Sequence, residues 1–405
     1  LIVARFATPS DIGQATALYS LVMVANTVVQ LGLEYPLLKR SMSDRRHIFG
    51  TVLLIEIGFA CVSMPIVYLV ASSLYGESEQ LVLITLGMLL LSVVGFASRY
   101  SILGFSNVRR LLISDSLGTI VKFTSAWFLL SAGYAELGIL TSLLLGIIVT
   151  ATLNLRLATR LFGLKRGDIQ YMKSVIREGL ANAPSKLSGS LIIINLSVVL
   201  LASFGTDSAQ LGVFYIAMML SAVVSGFSGS LAFMSIPASA ATNKDLSSNS
   251  LRMGLSFTAP AITALIIAPS AILSVIGNEY SEASISLVIL AVSVIPGIVV
   301  SNTISRLNNS GEYRKILMLG TVRIAAFVVP FFILVPQLGT TGASIAILVG
   351  IGSSAMMSVI WTRNFGKFAV FALASVAGGV LAGIITDILL DGQLLIVLVS
   401  VGTSS

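Results

Sequence analysis

Apolar runs of roughly 20 residues, each long enough to cross a bilayer, recur along the whole chain between short polar breaks. They predict transmembrane helices near 14–38, 48–74, 81–106, 111–132, 137–161, 180–204, 211–236, 253–276, 283–305, 316–336, 342–361 and 367–386. The start, LIVARFATPSD, reads as the tail of a further helix, and the last apolar run, 393–403, is too short to span. Counting these two partial helices gives about fourteen, with the first and last expected to be truncated.

The polar breaks alternate in charge. One set holds Lys39 to Arg46, Arg99 to Arg110, Arg156 to Arg177, Lys244 and Arg252, Arg306 to Lys315, and Arg363 and Lys367, which is 20 of the 24 basic residues. The other set holds Asp11, Glu77, Glu79, Glu136, Asp207, Glu279, Glu282, Asp387 and Asp391, without lysine or arginine. Basic loops stay in the cytoplasm, so the first set is expected inside, together with whatever precedes Leu1. The net charge of +7 is then mostly topology. It does not call for a nucleic-acid partner.

The pattern also repeats. Gly13 and Gly212 stand 199 residues apart (212 − 13), Gly76 and Gly277 stand 201 apart, Leu103 and Leu307 stand 204 apart, and Leu137-Gly138 matches Leu338-Gly339 at 201. Ordered landmarks at nearly constant offset indicate a duplicated unit, the construction common among transporters. The expected organisation is an N-terminal transmembrane lobe (1–161), a cytoplasmic linker (162–179) lying along the membrane surface, a C-terminal lobe (180–365), and two additional helices (366–405).

Composition agrees, with 56% hydrophobic and 10% charged residues and a mean hydropathy of +0.99. The single cysteine, Cys61, allows no internal disulfide. The single histidine, His47, lies beside Arg45 and Arg46 in a polar break. No phosphate-binding glycine loop, metal-spaced His/Cys set or Ser–His arrangement is present, so neither an enzyme nor a cofactor is expected.

Four basic residues lie outside this topology: Arg5, Lys122, Lys186 and Arg323. Lys122 is twelve residues beyond Arg110, about 18 Å at the helical rise; Arg323 is eight beyond Lys315, about 12 Å. Glu56 is the deepest acid, while Glu34 and Asp115 lie nearer cytoplasmic ends. A charge at such depth marks a pathway when it faces protein or water. Lys122 and Arg323, 201 apart, either share that role or snorkel and pair within their own lobes. Arg5 and Lys186 are assigned to the cavity. Four bases against one deep acid predict a net-positive interior that attracts anions, with phosphate or pyrophosphate the matching chemistry. Prolines interrupt several spans; Pro184 beside Lys186 is the break assigned to function, and SGFSGS (225–230) suits close helix packing.

Arg5, Pro9, Asp11, Gly13, Leu31-Gly32-Leu33-Glu34 and Arg40 resemble the opening signature of the polysaccharide flippases, a Wzx-type family in the MATE-like MOP exporter superfamily. Leu211 to Tyr215 with Ala217 and Pro237, IGNEYSEASISLVIL (276–290) and LGTTGASIAILVG (338–350) are similar to later landmarks of that family. The resemblance implies an all-α integral membrane fold with two pseudo-symmetric six-helix lobes arranged as a V, plus two C-terminal helices. It implies that a lipid-linked (pyrophosphate) oligosaccharide is turned from the cytoplasmic to the outer leaflet of the cell membrane by alternating access. Membrane lipids and a glycan polymerase or glycosyltransferase are the implied partners. By motif only Arg5 carries over as a substrate-binding residue; Lys186, Lys122 and Arg323 rest on depth. Two other readings stand beside it: a cation-coupled multidrug exporter using Glu56, and a non-transporting scaffold for glycan assembly.

Overall fold

The computed structural model describes residues 2–381, apart from 35–36, 38–41, 76–77, 105–107, 166–168, 188–189, 243, 363–366, 368–369, 371–373, 375 and 379. Every regular element among the described residues is helical: α1 (Ile2–Phe6), α2 (Pro9–Gln30), α3 (Met42–Tyr75), α4 (Glu79–Gly104), α5 (Val108–Ser131), α6 (Ala135–Phe162), α7 (Ile169–Leu187), α8 (Ser190–Ser203), α9 (Ser208–Thr242), α10 (Ser247–Ile267), α11 (Pro269–Ser274), a 3-10 turn (Asn278–Ala283), α12 (Ser284–Ser310) and α13 (Tyr313–Trp361). Eight helices among the described residues are long and apolar enough to cross a membrane. The chain is a multi-pass, all-α membrane protein.

The shortfall against the predicted spans has local causes. Asp115 and Lys122 interrupt the apolar run of α5. The 180–204 span falls within α7 (Ile169–Leu187) and α8 (Ser190–Ser203). The 253–276 span breaks at Ala268, before Pro269, which opens α11 at a position where its missing N–H costs nothing. Spans 316–336 and 342–361 run on as the limbs of α13, parted by a kink at Gly339 with φ +54°. The predicted 367–386 span and the last partial helix fall largely outside the described residues. The stretch with Arg45, Arg46 and His47 opens α3 instead of forming a loop.

The chain divides into two compact units, Leu1–Ser208 and Ala209–Ser405. In the first, Thr8 starts α2: its hydroxyl accepts from Asp11 N–H while the Asp11 carboxylate accepts from Thr8 N–H at 2.8 Å, a reciprocal cap reinforced by Pro9. Leu31 and Gly32, at φ +45° and +75°, end the helix with a left-handed turn. That turn carries Leu33 under α7, where Leu33, Leu37, Ile48, Val52, Ile55 and Val175 form one apolar cluster. A Cβ on Gly179 would stand 2.7 Å from Leu33 Cδ2 and 3.2 Å from the Leu31 carbonyl oxygen, so glycine eases this close approach. The linker helix therefore packs its apolar side on the first unit and leaves Met172, Lys173 and Arg177 exposed. A second cluster joins α3, α4, α5 and α6 through Phe49, Leu53, Ala97, Ile102, Leu111, Ala158 and Phe162. The outer side of α5 exposes Leu112, Ile113, Leu117, Ile120, Phe123, Trp127 and Phe128, as a lipid-facing surface must.

In the second unit α12 packs on α10 and α13. Ser228, in SGFSGS, is buried and donates to the Gly254 carbonyl of α10 at 3.1 Å, and Ser235 meets Ser305 of α12 at 2.6 Å. Ser228 of the 225–230 stretch thus serves helix packing, while a Cβ on Gly226 or Gly229 would meet nothing within 4 Å.

The packing revises the repeat. A Cβ on Gly146 would meet Lys122 Cβ at 2.9 Å and the Gly118 carbonyl at 3.1 Å; one on Gly350 would meet Phe327 Cβ at 2.8 Å and the Arg323 carbonyl at 3.1 Å. The equivalent crossings are therefore 204 apart (350 − 146). Gly138 against Leu129 and Gly342 against Leu334 give the same 204 (342 − 138). Lys122 corresponds to Phe327, and Arg323 to Gly118. The two bases are one helical turn out of register, and the 201 offset that made them a pair is corrected. In this hairpin the true landmarks are glycines where backbones touch, not matching letters in apolar sequence.

One tight backbone crossing sets a stability prediction. Gly342→Ala places a methyl 2.6 Å from the Leu334 carbonyl oxygen, a backbone atom, and is expected to cost about 1–3 kcal/mol by overpacking. Gly352→Ala, with nothing within 4 Å, is expected to be neutral or to stabilise by up to about 1 kcal/mol through helix propensity. Thermal unfolding of the two variants in detergent compares them.

Candidate functional site

The first unit holds two polar constellations. Asn26 and Gln30, at a spacing of four on α2, place their side chains on one buried face, and Glu34 continues the row past the left-handed turn. Lys186 reaches this row from the end of α7. Its ammonium donates to Glu34 Oε1 at 2.8 Å and to Gln30 Oε1, whose amide donates to Asn26 Oδ1 at 3.0 Å. It also stands 5.3 Å from the ring centre of Tyr100 on α4. The Lys186 and Glu34 side chains are only 15% and 6% exposed. Glu56 of α3 is 1% exposed, feels both Lys186 and Glu34, and leaves its Oε2 without a hydrogen-bond partner, as Glu34 leaves its own Oε2. The ammonium pairs with Glu34, while Glu56 lies within its electrostatic influence.

That arrangement changes the sign argument. Sequence position set Glu34 aside near a helix end, yet it is buried and takes Lys186 as its ion-pair partner across 152 residues (186 − 34). This cluster is not an uncompensated cation. Pro184 lies in the helical backbone of α7; nothing is described of its side chain.

The second constellation is a cavity of about 310 Å³ between α2, α4, α5 and α6. Lys122, Arg99, Asp115, Tyr19, Thr119 and Asn154 are among its lining residues. Arg99 and Asp115 form an ion pair at 3.0 Å, so Lys122 supplies the net charge. Its Nζ lies 5.1 Å from the Phe123 ring centre. Asn154 is fully buried, and both amide atoms lack a hydrogen-bond partner. A cavity lined by an ammonium and by a buried primary amide with free donor and acceptor is equipped to take a polar anion, since such groups are otherwise satisfied.

The other expected site residues lie elsewhere. Arg5 is exposed at the end of α1, which packs against α5. Arg323, in the second unit, is 3% exposed and its Nε donates to Ser354 Oγ at 3.4 Å across the α13 hairpin; Ser354 in turn donates to the Leu319 carbonyl. The structure thus places Glu56 within the electrostatic influence of Lys186, puts Lys122 in the cavity, and holds Arg323 in a helix–helix contact. Gln30, Glu34, Tyr100 and Asn154 escaped sequence reasoning. The four-residue spacing of Asn26, Gln30 and Glu34 at the end of an apolar helix was the one signal available.

No protein-family model matches the chain, and no curated protein sequence does. Solved structures do. The lipid II flippase MurJ in an inward closed conformation superposes with a TM-score of 0.69 at 14% identity, covering 98% of this chain and 94% of that one. The fold is that of the MATE-like transporters. An inward-facing multidrug resistance MATE family transporter of the MOP superfamily gives 0.63 at 14% identity over 91% and 94% of the two chains. The MATE multidrug transporter DinF-BH gives 0.58 at 17% identity over 89% of each. The MATE-like architecture expected from the opening signature is therefore the architecture found.

Two ion pairs among the described residues of the first unit differ in burial and so in consequence. Lys186→Met strands the buried Glu34 carboxylate and is expected to destabilise by about 3–5 kcal/mol, the range for breaking a buried pair. Asp115→Asn acts on a pair whose side chains are 45% and 28% exposed and is expected to cost under about 1 kcal/mol. Denaturant or thermal unfolding of the purified variants measures both.

Proposed function

We propose that this chain is a flippase that moves a lipid-linked (pyrophosphate) oligosaccharide from the cytoplasmic to the outer leaflet of the cell membrane, serving polysaccharide or glycan export. The observation that carries the proposal is the cavity of the first unit. Its one net positive charge, Lys122, and the unpartnered Asn154 amide both line it. An ammonium and an amide N–H suit phosphate oxygens, and charge-assisted bonds of this kind are about twice as strong as neutral ones. The likeness to a lipid II flippase over nearly the whole chain supports movement of a lipid, and the opening signature supports a saccharide cargo. On this reading the basic breaks face the cytoplasm, membrane lipids flank the cavity, and a glycan polymerase or glycosyltransferase receives or supplies the cargo.

A cation-coupled multidrug exporter is the second reading. The buried, partly unsatisfied Glu56 and Glu34 favour it, since a cationic drug requires acidic partners. In that case Glu56→Gln abolishes drug resistance conferred by the full-length protein while lipid-linked glycans stay unchanged.

Deleting the gene and fractionating lipid-linked glycans by leaflet separates the readings. Accumulation of an assembled intermediate in the cytoplasmic leaflet is expected, and an unchanged pool overturns the flippase reading. Complementation with Lys122→Gln is expected to restore export at least about tenfold less well than the parent gene, the loss of one hydrogen bond from a charged group, at equal membrane abundance.

A further inference from the structure

We propose that Arg99 is a second anion-binding residue of the first-unit cavity, held by Asp115 until a phosphate group displaces that carboxylate. The proposal rests on the reading of the chain as a carrier of a pyrophosphate-linked lipid, and adds how the cavity admits that group.

Helix register brings the groups concerned to one end of the cavity. A Cβ on Gly95 of α4 would stand 3.2 Å from Ala151 Cβ of α6, which marks where these two helices cross. Arg99 lies four residues on from Gly95 and Asn154 three on from Ala151, each about one helical turn. Further along, Ile102 of α4 shares an apolar cluster with Ala158 and Phe162 of α6, so both helices advance in the same direction. From α5, Ser114 donates to the Thr150 carbonyl at 3.5 Å, which sets Asp115 at this end too. Lys122 crosses α6 at Gly146, eight residues before Asn154 (154 − 146), or about 12 Å further in at the helical rise. A guanidinium, a carboxylate and an amide thus line one end, and the ammonium lines the other.

The strength of the Arg99–Asp115 pair decides whether it exchanges. Its side chains are 45% and 28% exposed at 3.0 Å separation, and such pairs are weak because water competes for both partners. Phosphate offers the same guanidinium two oxygens that match its planar fork, with a larger negative charge. Arg99 therefore passes from Asp115 to phosphate, and the released carboxylate is hydrated on its exposed side. The Lys186–Glu34 pair is far more buried, and opening it would leave a charge without water or partner. It stays closed.

Asn154 completes the clasp. Both its amide atoms are buried and lack a hydrogen-bond partner within the protein. The N–H donates to a phosphate oxygen, and Oδ1 accepts from a hydroxyl group of the same cargo. The phosphate meets Arg99 at the exposed end, and Lys122 receives it further in.

Calorimetric titration of the full-length protein in phosphatidylcholine nanodiscs with inorganic pyrophosphate tests the exchange. Arg99→Gln is expected to weaken binding at least about tenfold, the loss of a hydrogen bond from a charged group. Asp115→Asn is expected to tighten it about three- to fivefold, the strength of an exposed pair that no longer has to open. In the Arg99→Gln background Asp115→Asn brings no gain. An equal gain there overturns the exchange, because Asp115 then acts through charge alone. An Asp115→Asn protein that binds no more tightly than the parent overturns it as well. Asn154→Leu is expected to weaken binding while raising the unfolding temperature, since it removes a buried, unbonded amide; unchanged binding overturns its place in the clasp. Pyrophosphate binding with this pattern, in a protein that translocates no lipid-linked glycan, supports the inference and removes the cargo assigned above. Glycan translocation that Arg99→Gln leaves intact keeps that cargo and overturns the inference.

Discussion

In hydrocarbon there is no water to complete a hydrogen bond or screen a charge, so each polar group must find its partner inside the protein. That single constraint explains the helical architecture. It also explains the many serine and threonine hydroxyls that donate to a carbonyl one turn back, such as Thr85 to Leu81, Ser101 to Ala97 and Thr303 to Val299. Between helices the same need is met by Ser228 on the Gly254 carbonyl and Ser235 on Ser305. The packing is close because glycine lets backbones touch, as at Gly146, Gly342 and Gly350.

Charges follow the same rule more stringently. Lys186 takes Glu34 and the Gln30 amide with it. Arg99 takes Asp115, and Arg323 is wedged into a hairpin beside Ser354. Among the described residues of the first unit, Glu34, Glu56 and Asn154 each keep a buried polar atom without a hydrogen-bond partner, in the Lys186 cluster and the cavity; Ser20, and in the second unit Ser250 and Asn302, do so elsewhere.

The two units show what duplication preserves. The hairpins α5–α6 and the limbs of α13 share the glycine crossings, because a side chain there would push backbones apart. They do not share charges. Lys122 is matched by Phe327, and Arg323 by Gly118, so each unit has placed its own base independently on a common scaffold. Functional asymmetry thus lies in side chains, while symmetry lies in the backbone contacts.

Several features were set by the sequence alone. Apolar runs of membrane length, proline at the start of α2 and α11, and glycine at turns act locally, through backbone geometry and transfer of side chains from water. They fixed the helices, their approximate limits and the membrane class, and Arg5 to Glu34 with the later landmarks pointed to the MATE-like fold. Merged helices, as at Gly339, were harder to read, since a kink and a loop look alike in apolar sequence. Partners were settled only by tertiary structure. Nothing near Lys186 in the chain announces Glu34, and depth estimated by counting residues cannot say whether Lys122 faces a cavity or Arg323 a neighbouring helix. An ion pair depends on distance in three dimensions, and that distance is decided by which helices pack together.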